Sequence, residues 1–162
     1  HDYTFGHPHE EAILTGRFGG WLTRELVRHA PHSVVQSLVG EEGDLTHAEA
    51  KALTKQIWAD PVKRDFALRL METVSGARRD GLRNDERQFP AIVDLPLAAV
   101  QAPALLLHAT TDADVPFEHS EHAVARLPDA ELVRIEGGTH VSVWTDPDAD
   151  ALQARIVDFL RA

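Results

Sequence analysis

His108-Ala109-Thr110-Thr111-Asp112-Ala113-Asp114-Val115-Pro116 decides how this chain is read, because it follows directly on the apolar run Ala104-Leu105-Leu106-Leu107. A short continuous apolar run after Pro103 predicts a parallel strand covered on both faces. The loop carboxylates then stand at the C-terminal end of a strand, the edge of an open α/β sheet where ligands and catalytic groups gather. Further along, Glu131 to Ile135 alternates into a second strand, followed by Glu136-Gly137-Gly138-Thr139-His140-Val141-Ser142. If the two strands are parallel neighbours, Asp112 and His140 project toward the same edge. Between them, Phe117 to Leu127 reads as a helix with Ala123, Val124 and Leu127 inward, and Pro128-Asp129 turns the chain. Asp148 or Asp150 opens a last amphipathic helix through Leu152, Ile156, Phe159 and Leu160. The expected fold class is α/β, a mostly helical front followed by a β-α-β-α unit of a parallel sheet.

The front half carries a different period. Trp21, Leu22, Leu26 and Val27, then Val34, Val35, Leu38 and Val39, recur at spacings of three and four, with Pro31 between the two helical pieces. Thr46-His47-Ala48-Glu49 matches a capping box and predicts a helix from about His47 to Ala59. Asp60-Pro61 opens another, with Phe66, Leu70 and Val74 along one side and fraying at Gly76 and Gly81. A short helix from Leu82 to Phe89 stops at Pro90. The boundary falls between residues 95 and 96, with 1–15 as an unstructured lead. Two strands leave edges exposed and faces incompletely covered, so the sheet is expected to be completed from elsewhere.

The order strand, H-A-T-T-D-A-D-V-P turn, helix, strand, G-G-T-H turn, helix resembles the C-terminal part of the α/β-hydrolase fold, continuously from about Ala102 to Ala162. Members of that superfamily carry the catalytic acid in an H-G-x-x-D-x-x-V-P-like turn and the catalytic histidine in a G-G-x-H-like turn. The helical front resembles the cap such enzymes insert before these elements, with Gly81-Leu82-Arg83-Asn84-Asp85 as its return segment, so 1–95 is expected to be cap and 96–162 core. The resemblance implies Asp112 as triad acid and His140 as general base, with Asp114 the competing acid. It implies no metal and no organic cofactor. The sequence departs from the pattern at Ala109 and Thr139, where glycine is common.

A triad on this fold runs serine, acid, histidine, with the serine in a G-x-S-x-G elbow. The serines before Asp112 are Ser33, Ser37 and Ser75, and none has a glycine two residues away on either side. No H-G-G-G-type oxyanion segment is present either. The chain therefore reads as the C-terminal portion of a serine-type hydrolase of an ester, amide or related acyl substrate, inactive alone. Its expected partners are a small-molecule acyl substrate and a missing N-terminal half, or another copy of the chain, that completes the sheet in an oligomer or multi-fragment assembly. Two other readings use the same residues: a relative with a non-serine nucleophile such as an aspartate, and a non-catalytic ligand-binding or interaction domain of the same fold.

Composition narrows the partners. The 162 residues hold 26 Asp plus Glu against 16 Lys plus Arg, and a net charge of -10 repels phosphate backbones and anionic headgroups, so nucleic acid and membrane surfaces are not expected. No apolar run approaches the ~20 residues a bilayer span requires. Without cysteine there is no disulfide, thiolate zinc site or cysteine nucleophile, and the compartment stays open, with the cytoplasm as default. The start at His1 rather than Met fits a chain trimmed at that end. His119 and His122 have helical i, i+3 spacing that could hold a metal with Asp114, but a solvated helix face explains them; His7 and His9 read as part of a mobile terminus. Trp21, Trp58, Phe66 and Met71 could line a pocket under the cap, though apolar residues at this spacing are more often core.

Overall fold

The computed structural model describes residues 17–74, 79–92 and 94–161. In chain order the elements are α1 (Arg17–His29), α2 (Pro31–Glu42), α3 (His47–Ala59), α4 (Pro61–Val74) and α5 (Arg79–Gln88). Short 3₁₀ turns at Phe89–Ala91 and Leu97–Ala99 lead to β1 (Ala104–Ala109). Then come α6 (Glu118–Val124), β2 (Ala130–Ile135), α7 (Ser142–Thr145) and α8 (Ala149–Arg161). The fold is α/β, mostly helical with a two-stranded parallel sheet.

Local signals account for most boundaries. Pro31 and Pro61 each stand first in a helix, where a fixed φ is an advantage and the missing N–H costs nothing. Thr46 forms the capping box of α3: its backbone N–H donates to Glu49 Oε2 at 2.9 Å and its hydroxyl accepts from the Glu49 N–H at 3.4 Å. The last expected turn of α6 is lost, since the helix stops at Val124 rather than Leu127. Pro128 disfavours helical geometry in the residue before it, which shortens the end. Gly81 lies inside α5 instead of marking the frayed end of α4, and Gly76 falls outside the described residues.

The chain divides into two compact units. One takes the described residues up to Val34 with Asp65–Leu95; the other takes Val35–Arg64 with Pro96 onward. Residues 35–64 thus cluster with the strands rather than with the rest of the helical front. In the first unit, α1 leaves Trp21, Leu22 and Leu26 exposed, so helical spacing there does not become burial. Trp58, Phe66 and Met71 are half-buried. Buried apolar side chains of the second unit include Val35, Leu38, Val39, Ile57, Ala109, Phe117 and Ile135.

The strands pair in parallel from Ala104↔Ala130 to Ala109↔Ile135, so their C-terminal ends are level. The run Ala104–Leu107 is half-buried, not covered on both faces as its composition suggests, because among the described residues β1 has a single sheet neighbour. Lys63 at the start of α4 donates to the carbonyl of Asp146 at 2.6 Å, tying residues 35–64 to the segment before α8. No helix of the described residues is long and apolar enough to cross a membrane.

Ile57 is fully buried and Val62 is 77% exposed. Truncating Ile57 to Ala is expected to cost about 2–5 kcal/mol of unfolding free energy in urea titration, through lost transfer energy and a residual cavity. Val62→Ala changes it by less than about 0.5 kcal/mol.

Candidate active site

The level strand ends position the site. Asp112 lies three residues past Ala109 and His140 five past Ile135, so their loops leave the sheet side by side. Two threonines stitch the loops together: the Gly137 N–H donates to Thr110 Oγ1 at 2.9 Å, and the Thr111 hydroxyl donates to the Gly138 carbonyl at 2.7 Å. Gly137 and Gly138 take φ of 72° and 85°, a region that side chains other than glycine's enter at a cost. At Gly138 an added Cβ would also collide with the Ser142 hydroxyl.

The structure brings Asp112 and His140 into contact. His140 Nδ1 lies 2.9 Å from Asp112 Oδ2. An ionised carboxylate can only accept, so Nδ1 carries the proton and the neutral ring has its free lone pair on Nε2. The other carboxylate oxygen, Oδ1, accepts the N–H groups of Asp114 at 2.9 Å and Val115 at 2.8 Å. Asp112's side chain is 4% exposed and that of His140 42%, so a fixed acid stands behind a base that solvent and ligands can reach. Of the two candidate acids, Asp114 is on the other side of the ring: its Oδ2 is 3.7 Å from Nε2, beyond hydrogen-bond reach.

A second histidine supports the acid, and sequence reasoning gave it no role. His108 is buried; its Nε2 lies 2.9 Å from the Val115 carbonyl and 3.1 Å from Asp112 Oδ2. Both partners are acceptors, so Nε2 carries hydrogen and Nδ1 accepts the Ser120 hydroxyl at 2.6 Å. Its sequence signals were its place at the end of β1 and at the head of the H-A-T-T-D turn. Residues 42–44 were missed entirely. The Glu42 carbonyl accepts the His140 N–H at 2.9 Å and the Ala113 N–H at 3.3 Å, and the Asp44 N–H donates to Thr111 at 2.8 Å.

The electrostatics follow from this crowding. Burial by itself lowers the His140 pKa, but the Asp112 hydrogen bond and the charges of Asp112, Asp114 and Glu42 outweigh it and raise the pKa above the usual histidine value. Glu42 is also raised, by burial first and then by Asp114. A cleft of about 240 Å³ opens beside this pair, with Leu107, Ile135, Thr139 and Val143 among its walls. Thr139 Oγ1 is buried and has no hydrogen-bond partner among the described residues.

Other candidates stand apart. Among the described residues no serine hydroxyl is hydrogen-bonded to His140. Ser37 donates to Glu41 at 2.7 Å, and Ser75 falls outside the described residues. No group of three or more metal-ligating side chains occurs among the described residues, and His122 Nδ1 accepts from Arg126 at 2.9 Å. His7 and His9 fall outside the described residues.

Comparison with known proteins adds relatives to this geometry. Residues 85–162 match the family described as TAP-like protein. A 70-residue stretch is 41% identical to RutD of Pseudomonas savastanoi pv. phaseolicola, a protein named as a carbamate hydrolase, covering 43% of this chain and 26% of that one. An alpha/beta hydrolase fold protein from Nakamurella multipartita superposes with a TM-score of 0.91 at 31% identity, over 99% of this chain and 56% of its own. A thermophilic esterase from Thermogutta terrifontis, solved with malate bound, shares the fold at a TM-score of 0.50 and 18% identity, over 96% of this chain and 51% of its own. The chain spans about a quarter of the curated relative and little more than half of these solved structures.

A raised His140 pKa means that the folded chain holds this proton more tightly than the unfolded chain does. Its contribution to stability is present below the usual histidine value and is lost as pH rises through the raised one. Melting temperature is expected to fall across that window, and His140→Ala to flatten that part of the curve. In Asp112→Asn, the His140 titration followed by NMR moves to lower pH than in the parent chain.

Proposed function

The chain belongs to the α/β-hydrolase superfamily, and from that premise we propose that Asp112 and His140 are the acid and general base of a serine-type hydrolase acting on an ester, amide or related acyl substrate. The observation that carries this reading is the 2.9 Å contact between His140 Nδ1 and the buried Asp112 carboxylate, which leaves Nε2 free on an exposed ring.

In the proposed reaction, His140 Nε2 takes the proton of a serine hydroxyl as that oxygen attacks the acyl carbonyl. Asp112 keeps the other nitrogen protonated and stabilises the imidazolium that results. The imidazolium then gives its proton to the leaving alcohol or amine as the bond to the acyl carbon breaks. In the second half His140 takes a proton from the water that attacks the acyl carbon, then returns it to the serine oxygen as the acyl–serine bond breaks, releasing the acid and restoring the hydroxyl and the neutral imidazole. His108 and the amides of Asp114 and Val115 hold Asp112 in place for both halves.

The serine and the oxyanion donors are not in these 162 residues, since no G-x-S-x-G elbow or H-G-G-G-type segment occurs in them. They are proposed to come from a segment that also pairs with the open edge of β1, either part of the same gene product or another chain. The charges of Glu42 and Asp114 around His140 favour neutral or cationic acyl substrates over anionic ones.

The 162-residue chain alone is expected to give no turnover of activated acyl esters. In the protein encoded in full, His140→Ala and Asp112→Asn each lower kcat by about 10⁴-fold or more. Substantial turnover by the isolated chain, or unimpaired mutants of the full protein, contradicts the assignment. Light scattering at low concentration tests the partner: a well-folded monomer of these 162 residues argues against completion of the sheet from outside.

A further inference from the structure

We propose that Glu42 and Gly43, at the end of α2, are positioning residues that fix the acid loop and the base loop relative to one another. The inference deepens the proposed function and rests on it for the word positioning; the geometry stands by itself. One carbonyl oxygen, that of Glu42, accepts both the His140 N–H at 2.9 Å and the Ala113 N–H at 3.3 Å. Ala113 directly follows Asp112, so a single main-chain atom ties the residue after the acid to the base itself. Gly43 forms an isolated antiparallel bridge with Asp112, and the Asp44 N–H reaches the Thr111 carbonyl at 2.8 Å. Three consecutive residues thus act as a short third strip laid across the ends of β1 and β2.

Space at Gly43 makes this strip specific. The glycine is buried, and an added Cβ would lie 2.8 Å from Thr139 Cγ2, 3.0 Å from the Gly138 carbonyl and 3.1 Å from Leu45 Cγ. The first of these separations is shorter than real Cβ contacts, so the strip or the 138–140 turn must move apart. Its φ is not positive, so the demand is for room and not for backbone freedom. Gly40, on the same helix, provides the control, because a Cβ there meets nothing within 4 Å.

The groups that face His140 are Asp112, Asp114 and Glu42, with His108 behind Asp112. Displacement of the turn by Gly43→Ala weakens its bond to Asp112 and exposes the Glu42 carbonyl. The test follows His140 through its NMR titration, and the amides of His140 and Ala113 through hydrogen exchange, none of which requires turnover. In the unmodified chain both amides are expected to be protected. Gly43→Ala lowers the His140 midpoint to the usual histidine value or below and speeds exchange of both amides at least about tenfold. Gly40→Ala leaves all three unchanged, and adding Thr139→Ala to Gly43→Ala restores them in large part. A Gly43→Ala chain with the parent's midpoint and protection overturns the proposal. So do His140 and Ala113 amides that exchange at open-loop rates in the unmodified chain while β1 stays protected, a result that holds even if Gly43→Ala does not fold. Loss of hydrolysis in the full protein is a separate question: an inactive protein with intact coupling removes the hydrolase reading and leaves this one standing.

Discussion

The level ends of two parallel strands are the constraint on which the rest depends. Parallel pairing from Ala104↔Ala130 to Ala109↔Ile135 releases both loops at one height, and short loops then have little choice about where their side chains meet. Asp112 and His140 are 28 residues apart in sequence yet hydrogen-bonded. A one-residue shift in pairing would move one loop by about 3.3 Å along the strand, more than the whole donor-to-acceptor distance. The threonine bonds from Thr110 and Thr111 across to residues 137 and 138 hold that register beyond the last strand pair.

Around the pair, each support answers a different physical need. Asp112 is acceptor-only and buried, and four donors face it: His140, His108 and the amides of Asp114 and Val115. The tautomer of His108 is set by the Val115 carbonyl and Asp112 at Nε2, and Ser120 on α6 donates to Nδ1, so a helix residue helps to orient the acid loop. His140 needs exposure on one nitrogen and restraint on the other, and receives restraint from Asp112 at the ring and from Glu42 at the backbone. The carboxylates that crowd it raise its affinity for a proton and so its pKa from the usual histidine value.

Much of this was readable from the residues because the deciding signals are local. The Thr46 to Glu49 box forms as written, Pro31 and Pro61 start helices, and the two strands lie where the apolar runs stand. The meeting of Asp112 with His140 needed one assumption, that the strands are adjacent and parallel. What escaped the sequence is non-local. The Glu42 carbonyl reaches residues about 70 and 98 positions away, and a main-chain acceptor has no sequence signature at all. Gly43 is needed for space, which only the packed Thr139 reveals. The face of α1 shows the opposite failure: a periodic apolar face predicts burial, yet Trp21, Leu22 and Leu26 stay 51, 36 and 44% exposed.

The central claim is that His140 is held as an Nδ1–H imidazole by Asp112, with Nε2 free to take a proton. Imidazole ¹⁵N shifts of the labelled chain, recorded above the raised pKa, measure this directly. The account predicts a protonated Nδ1 and an unprotonated Nε2 for His140, with the Nδ1 proton shifted far downfield by its carboxylate partner. A His140 ring in the Nε2–H form, or one averaging between the two tautomers, would contradict it.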